Sequence, residues 1–92
     1  MLVRWTKPAA DDLTHICNYT EEHLGPEQGR RTAVAMYDSA ESLKVLPNRG
    51  RKGHKANTRE MSVSGLPFVM IYRVGEDVVE IVRILHGAQK WP

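Results

Sequence analysis

Apolar and polar positions alternate along the chain in three different rhythms. Leu2 to Trp5 is short and β-leaning, and Pro8 stops it from extending. From Leu13 the period changes to a helical one. Leu13, Ile16, Cys17 and Leu24 fall on one stripe, with charged and polar residues between them. Thr6 is placed to cap this helix, Pro8 suits its first turn, and Asp11 and Asp12 lie near the positive end of its dipole. Gly25-Pro26 ends it and opens a second helix, predicted from about Pro26 to about Leu46. There Ala33, Met36, Tyr37, Ala40 and Leu43 repeat the stripe, and Pro47 stops it. The rhythm then turns to strands. Thr58 to Val63, Phe68 to Val74 and Val78 to Leu85 are three β-like runs, separated by Ser64-Gly65 and by Gly75-Glu76-Asp77.

These elements predict an α+β domain of order β-α-α-β-β-β over residues 1–92. Strands joined by such short turns pair antiparallel, so the sheet is expected to be mostly antiparallel. A helical hairpin cannot bury both of its stripes on itself, so it should pack on one face of that sheet. The apolar fraction of 41% and charged fraction of 26% agree with a packed domain rather than a disordered chain.

Several function classes are excluded. No apolar run approaches the ~20 residues that span a bilayer, and Met1 to Trp5 lacks a signal-peptide layout. The lone Cys17 rules out an internal disulfide framework, and a cytoplasmic location is expected. There is no G-x-G-x-x-G, P-loop or C-x-x-C, so no cofactor is implied. No His pair has zinc-ligand spacing with a third ligand, so no metal site is expected either.

Charge adds a direction. The net charge is only +2, but residues 1–46 hold 5 basic and 7 acidic groups, and residues 47–92 hold 8 and 4. No acidic residue occurs between Glu41 and Glu60, a stretch that contains Arg49, Arg51, Lys52 and Lys55 in a Gly-containing loop. Such cations suit phosphate contacts or an acidic partner. Arg59, Arg73 and Arg83 each sit within a strand, where an unpaired Arg is costly to bury. They are expected to project onto the open sheet face or its rim and form, with the loop, a basic concave surface. The alternative for Arg83 is an ion pair with Glu60 or Glu80. His86 follows the last strand and suits general acid or base work, or packing. Tyr72 either packs in the core or stacks on a base, and Trp91 either covers an apolar patch or stacks on a base or partner.

The residues carry a resemblance from end to end. Val3-Arg4-Trp5-Thr6-Lys7-Pro8-Ala9-Ala10-Asp11-Asp12-Leu13, the helix exit from Leu43 to Gly50, Thr58-Arg59-Glu60-Met61, Tyr72-Arg73-Val74 and Val79-Glu80-Ile81-Val82-Arg83-Ile84-Leu85-His86-Gly87 follow one another in this order. The chain resembles the RelE/ParE superfamily of toxins from bacterial type II toxin–antitoxin modules. That resemblance implies the same fold and a cognate antitoxin that wraps the toxin in an oligomeric complex. It also implies one of two activities. RelE-like members cut mRNA on the ribosome, without a metal, using the RNA 2′-hydroxyl as nucleophile. ParE-like members poison DNA gyrase and have no nuclease site. The resemblance gives Arg83 the transition-state phosphate, His86 the 5′-oxygen leaving group, and Arg59, Lys52 and Lys55 the RNA backbone. Arg73 is either phosphate-binding or structural. The basic loop and strand arginines favour the nuclease as the expected activity. No residue matches a general base, for which Glu60 is the nearest candidate. Arg83 and His86 have opposite strand parity, so a shared site requires β-structure to end or bulge near Leu85.

Overall fold

The computed structural model describes residues 1–87. Its elements are β1 (Leu2–Trp5), α1 (Lys7–Leu24), α2 (Pro26–Ser42), β2 (Arg51–Lys52), β3 (Arg59–Ser62), β4 (Phe68–Val74) and β5 (Val78–His86). They form a five-stranded sheet of order β1-β5-β4-β3-β2. Neighbouring pairs are antiparallel except β1, which runs parallel to β5 along its edge.

The α+β architecture agrees with the expected one, with two differences. A fourth strand follows the helices: β2 lies inside the predicted basic loop and pairs with β3, Arg51 opposite Glu60 and Lys52 opposite Arg59. Two residues are too few to show a β-period in sequence. The second helix also stops earlier, at Ser42 rather than Leu46. Leu43 and Lys44 N–H groups donate to the carbonyls of Ala40 and Glu41, a tightened last turn. Pro47 then disfavours helical geometry at the residue before it.

The cap of α1 is the predicted one. Thr6 Oγ1 accepts from Ala9 N–H at 3.2 Å and donates to the Val82 carbonyl at 2.9 Å, so the same hydroxyl ties the helix start to β5. Gly25 joins the two helices at φ 94°, a backbone region that a side chain disfavours.

The helices cover one sheet face. Ala9, Leu13, Met36, Ala40 and Leu43 pack with Met61, Val63, Met70, Tyr72, Val79, Ile81 and Ile84 to form the core. Burial of this apolar set removes it from water and is the main force holding the layers together. Cys17 is half-buried and packs against the cluster. Tyr72 is a core residue, fully buried. Its hydroxyl donates to the Pro47 carbonyl at 2.8 Å and accepts from Gly50 N–H at 2.9 Å. The turn after α2 is thereby anchored in the core. No helix among the described residues is long and apolar enough to cross a membrane.

Candidate functional site

The other sheet face carries Arg4, Arg73 and Glu80 beside the apolar Val69, Ile71 and Leu85, while Arg59 lies opposite the core residue Tyr72, so the strand arginines do not form the expected common basic surface. Each has taken an acceptor, as the cost of an unpaired guanidinium demands. Arg73 donates to Glu80 Oε1 at 2.8 Å and Arg4 to Glu80 Oε2 at 2.9 Å, a cross-strand triad over β4, β5 and β1. These bonds hold the Glu80 carboxyl below its ordinary range.

Arg83 pairs with neither Glu60 nor Glu80. It donates to Asp12 of α1 through Nε at 2.7 Å and Nη2 at 3.1 Å. The same carboxylate accepts Ile84 N–H at 3.0 Å, so it caps the part of the β5 edge that lies beyond β1. The Asp12 hydrogen bond raises the Arg83 pKa further above its ordinary value, keeping the guanidinium charged. The β-bulge falls earlier than expected. Tyr72 pairs with Ile81 and Ile71 with Arg83, leaving Val82 as the extra residue. Arg83 and His86 therefore keep opposite parity, yet both line a cavity of about 150 Å³ with Asp12, His15 and Phe68. His86 meets Phe68 edge-on at 5.7 Å between ring centroids.

The third expected catalytic residue is elsewhere. Arg59 lies on β3 opposite Tyr72, while His86 lies opposite Phe68. Four positions of β4 separate these levels, roughly 13 Å along the strand. Arg59 Nη1 donates to the Gly50 carbonyl at 2.7 Å and turns toward the loop. There it lines a second cavity, about 600 Å³, with Lys52, His54, Lys55 and Thr58. Among the described residues, no carboxylate lines this cavity. The structure thus brings Arg59, Lys52 and Lys55 together, and separately Arg83 with His86. Arg49 and Arg51 stand outside the loop cavity; Arg49 donates to Ser42 Oγ at 2.8 Å. Trp91 lies outside the described residues.

Glu60 organises the loop. It is buried within β3, and Oε1 accepts from Arg51 at 3.1 Å and 3.3 Å. Oε2 accepts from the His54 ring at Nδ1, 3.0 Å away, and from His54 backbone N–H at 3.4 Å. Hydrogen bonds from His54 and Arg51 lower the Glu60 pKa, against the opposing effect of burial. Glu60, the nearest sequence candidate for a general base, is thus a buried carboxylate bonded to Arg51 and His54 and does not line the loop cavity. His54, a weaker acid–base candidate than His86 on sequence grounds, is the imidazole that lines this cavity. The usable signal was the acid-free stretch from Glu41 to Glu60, which leaves Glu60 as the nearest counter-ion downstream of the loop. Among the described residues, no three His, Cys, Asp or Glu side chains gather to hold a metal ion.

Comparison with known proteins places this geometry. A family model described as the ParE toxin of the type II toxin–antitoxin system parDE matches residues 3–91. The toxin RelE2 of Caulobacter vibrioides is 39% identical over 87 residues, covering 95% of this chain and 96% of its own. Y4kP of Sinorhizobium fredii, which carries a toxin name, is 32% identical over 90 residues, covering 98% and 92%. Among solved structures, a chain of the chromosomal ParDE system of P. aeruginosa superposes with a TM-score of 0.84 at 25% identity, over 94% of this chain and 95% of that one. A chain of the RelBE2 toxin–antitoxin complex of Mycobacterium tuberculosis gives 0.67 at 25% identity, over 92% and 95%.

Proposed function

The chain belongs to the ParE toxin family of type II toxin–antitoxin systems, within the RelE/ParE superfamily, and we propose, from its site geometry, that it arrests growth as a ribosome-dependent, metal-independent mRNA endoribonuclease neutralised by a cognate antitoxin. The observation that carries the activity is the loop cavity. It gathers Lys52, Lys55 and Arg59 with an imidazole and no lining carboxylate. A polyanionic strand is attracted to such a surface, with lysines acting as point charges and Arg as a forked donor to phosphate. Arg83 is committed to Asp12, so this reading moves the reacting phosphate from the Arg83–His86 cavity to the loop cavity.

The antitoxin follows from the company the fold keeps, since both solved relatives come from toxin–antitoxin systems. An acidic or amphipathic antitoxin segment has the charge to cover the loop cavity. Cytoplasmic action follows from the ribosomal substrate.

A second reading is favoured by a specific observation. The closed Asp12–Arg83 pair occupies the guanidinium that the resemblance assigns to the transition state, and the ParDE chain superposes well. On that reading the protein binds gyrase and cuts no RNA. One experiment separates the two. The protein is expressed briefly, mRNA ends are mapped by primer extension, and gyrase supercoiling is assayed in parallel. Codon-phased ends that disappear in Lys52→Ala and Arg59→Ala are expected. Intact mRNA with trapped gyrase–DNA breaks overturns the nuclease in favour of the gyrase poison.

A further inference from the structure

The loop cavity has cations and one imidazole on its walls, but no carboxylate among the described residues. Glu60 sits behind that wall. Its carboxylate is buried, ionised and acceptor-only, so the His54 nitrogen it contacts, Nδ1, carries the hydrogen. In the neutral ring the lone pair is then on Nε2. The His54 side chain is 82% exposed and lines the cavity with Lys52, Lys55 and Arg59. A backbone bond from His54 N–H to the same carboxylate oxygen fixes the residue at two points. Arg51 occupies the other oxygen, so Glu60 cannot turn away from the ring without breaking both contacts. A buried carboxylate that fixes an imidazole tautomer and leaves the second nitrogen to the reactants is the logic of hydrolytic triads.

Resting on the ribonuclease reading, we propose that His54 is the general base of the loop cavity, oriented through Nδ1 by the buried Glu60. His54 Nε2 takes the proton of an RNA 2′-hydroxyl. The 2′-oxygen forms a bond to the adjacent phosphorus, and the bond from phosphorus to the 5′-oxygen breaks. The electron pair of that bond stays on the 5′-oxygen, which takes a proton from water. The products are a 2′,3′-cyclic phosphate and a 5′-hydroxyl, and His54 returns its proton to solvent. Arg59 and Lys52 hold the charged phosphate through this step. Glu60 touches no reactant and acts as a positioning residue.

The test uses the full chain, ribosomes programmed with a short mRNA, and single-turnover cleavage. His54→Ala is expected to cleave at least about 100-fold more slowly, to bind the programmed ribosome as the wild type does, and to recover on addition of imidazole. Glu60→Gln is expected to lower the maximal single-turnover rate about tenfold, with the concentration giving half that rate unchanged. If Glu60→Gln fails to fold, the exposed His54 variants decide the matter alone. Wild-type cleavage matched by His54→Ala overturns the assignment and leaves the nuclease reading standing. A slow His54→Ala that imidazole does not restore also overturns it, because a structural role explains that result. A wild-type protein that leaves the mRNA intact overturns the nuclease reading itself, and the base with it.

Discussion

Asp12 and Glu60 hold the same kind of contact in two distant places. Each carboxylate accepts two bonds from an arginine and one from a backbone N–H: Arg83 and Ile84 for Asp12, Arg51 and His54 for Glu60. The outcomes differ. Asp12 reaches from a helix to a strand edge and neutralises Arg83 in a forked pair, so the contact is a clasp between layers. Glu60 reaches from a strand to a loop and shares itself with an exposed imidazole. The cations Lys52 and Arg59 nearby keep no carboxylate partner among the described residues. Counting arginines therefore says less about an anion site than counting which of them already have a counter-ion.

Four measurements break or sharpen this contrast. Asp12→Ala should have the largest effect. It leaves Ile84 N–H, in a buried residue, without an acceptor and unpairs Arg83, a loss of about 3 kcal/mol in urea unfolding. A loss under about 1 kcal/mol would show that the clasp is replaced by water. Gly50→Ala should follow, at about 2 kcal/mol. A Cβ there would lie 2.7 Å from Tyr72 Oη and 2.8 Å from the Glu60 carbonyl, so the loop must move off its anchor. Acid comes third. The folded Glu60 carboxyl titrates below its ordinary value of 4.5. Its contribution is therefore complete above that value and lost as pH falls through the lower, folded one. Amide exchange of residues 51–54 should accelerate over that acid range, and unchanged protection would deny Glu60 its role in the loop. Arg73→Ala should cost least, under about 0.5 kcal/mol, because the pair is at the surface and Glu80 keeps Arg4.

Most of the layer architecture was legible because local chemistry announced it. Thr6 and Gly25-Pro26 bound α1, and the apolar stripes of both helices point at a sheet with period-two runs of its own. Strand β2 was illegible because two cationic residues have no hydrophobic face to repeat. The bulge at Val82 was displaced from the expected place near Leu85, since nothing in Val-Arg-Ile-Leu distinguishes one apolar neighbour from the next. Lys52, Lys55 and Arg59 come together at the loop, but Arg73 and Arg83, expected to join them, are drawn to Glu80 and Asp12. The separation of Arg59 from His86 was not legible, because it depends on register between strands that the sequence leaves unspecified. Asp12 looked like a helix-dipole residue, and its distance in sequence from Arg83 hid its real partner.

The parallel pairing of β1 with β5 bears on when the protein becomes dangerous to the cell that makes it. β1 has one strand neighbour, and Arg4 must wait for Glu80, 76 positions later, to be synthesised. β5 also joins β1 to β4, so β1 cannot enter the sheet before β5 exists. Contacts of such long sequence separation form late and slowly. The sheet is therefore completed only with β5, the last described strand, which gives an antitoxin already present in the cell the chance to meet the toxin as it folds.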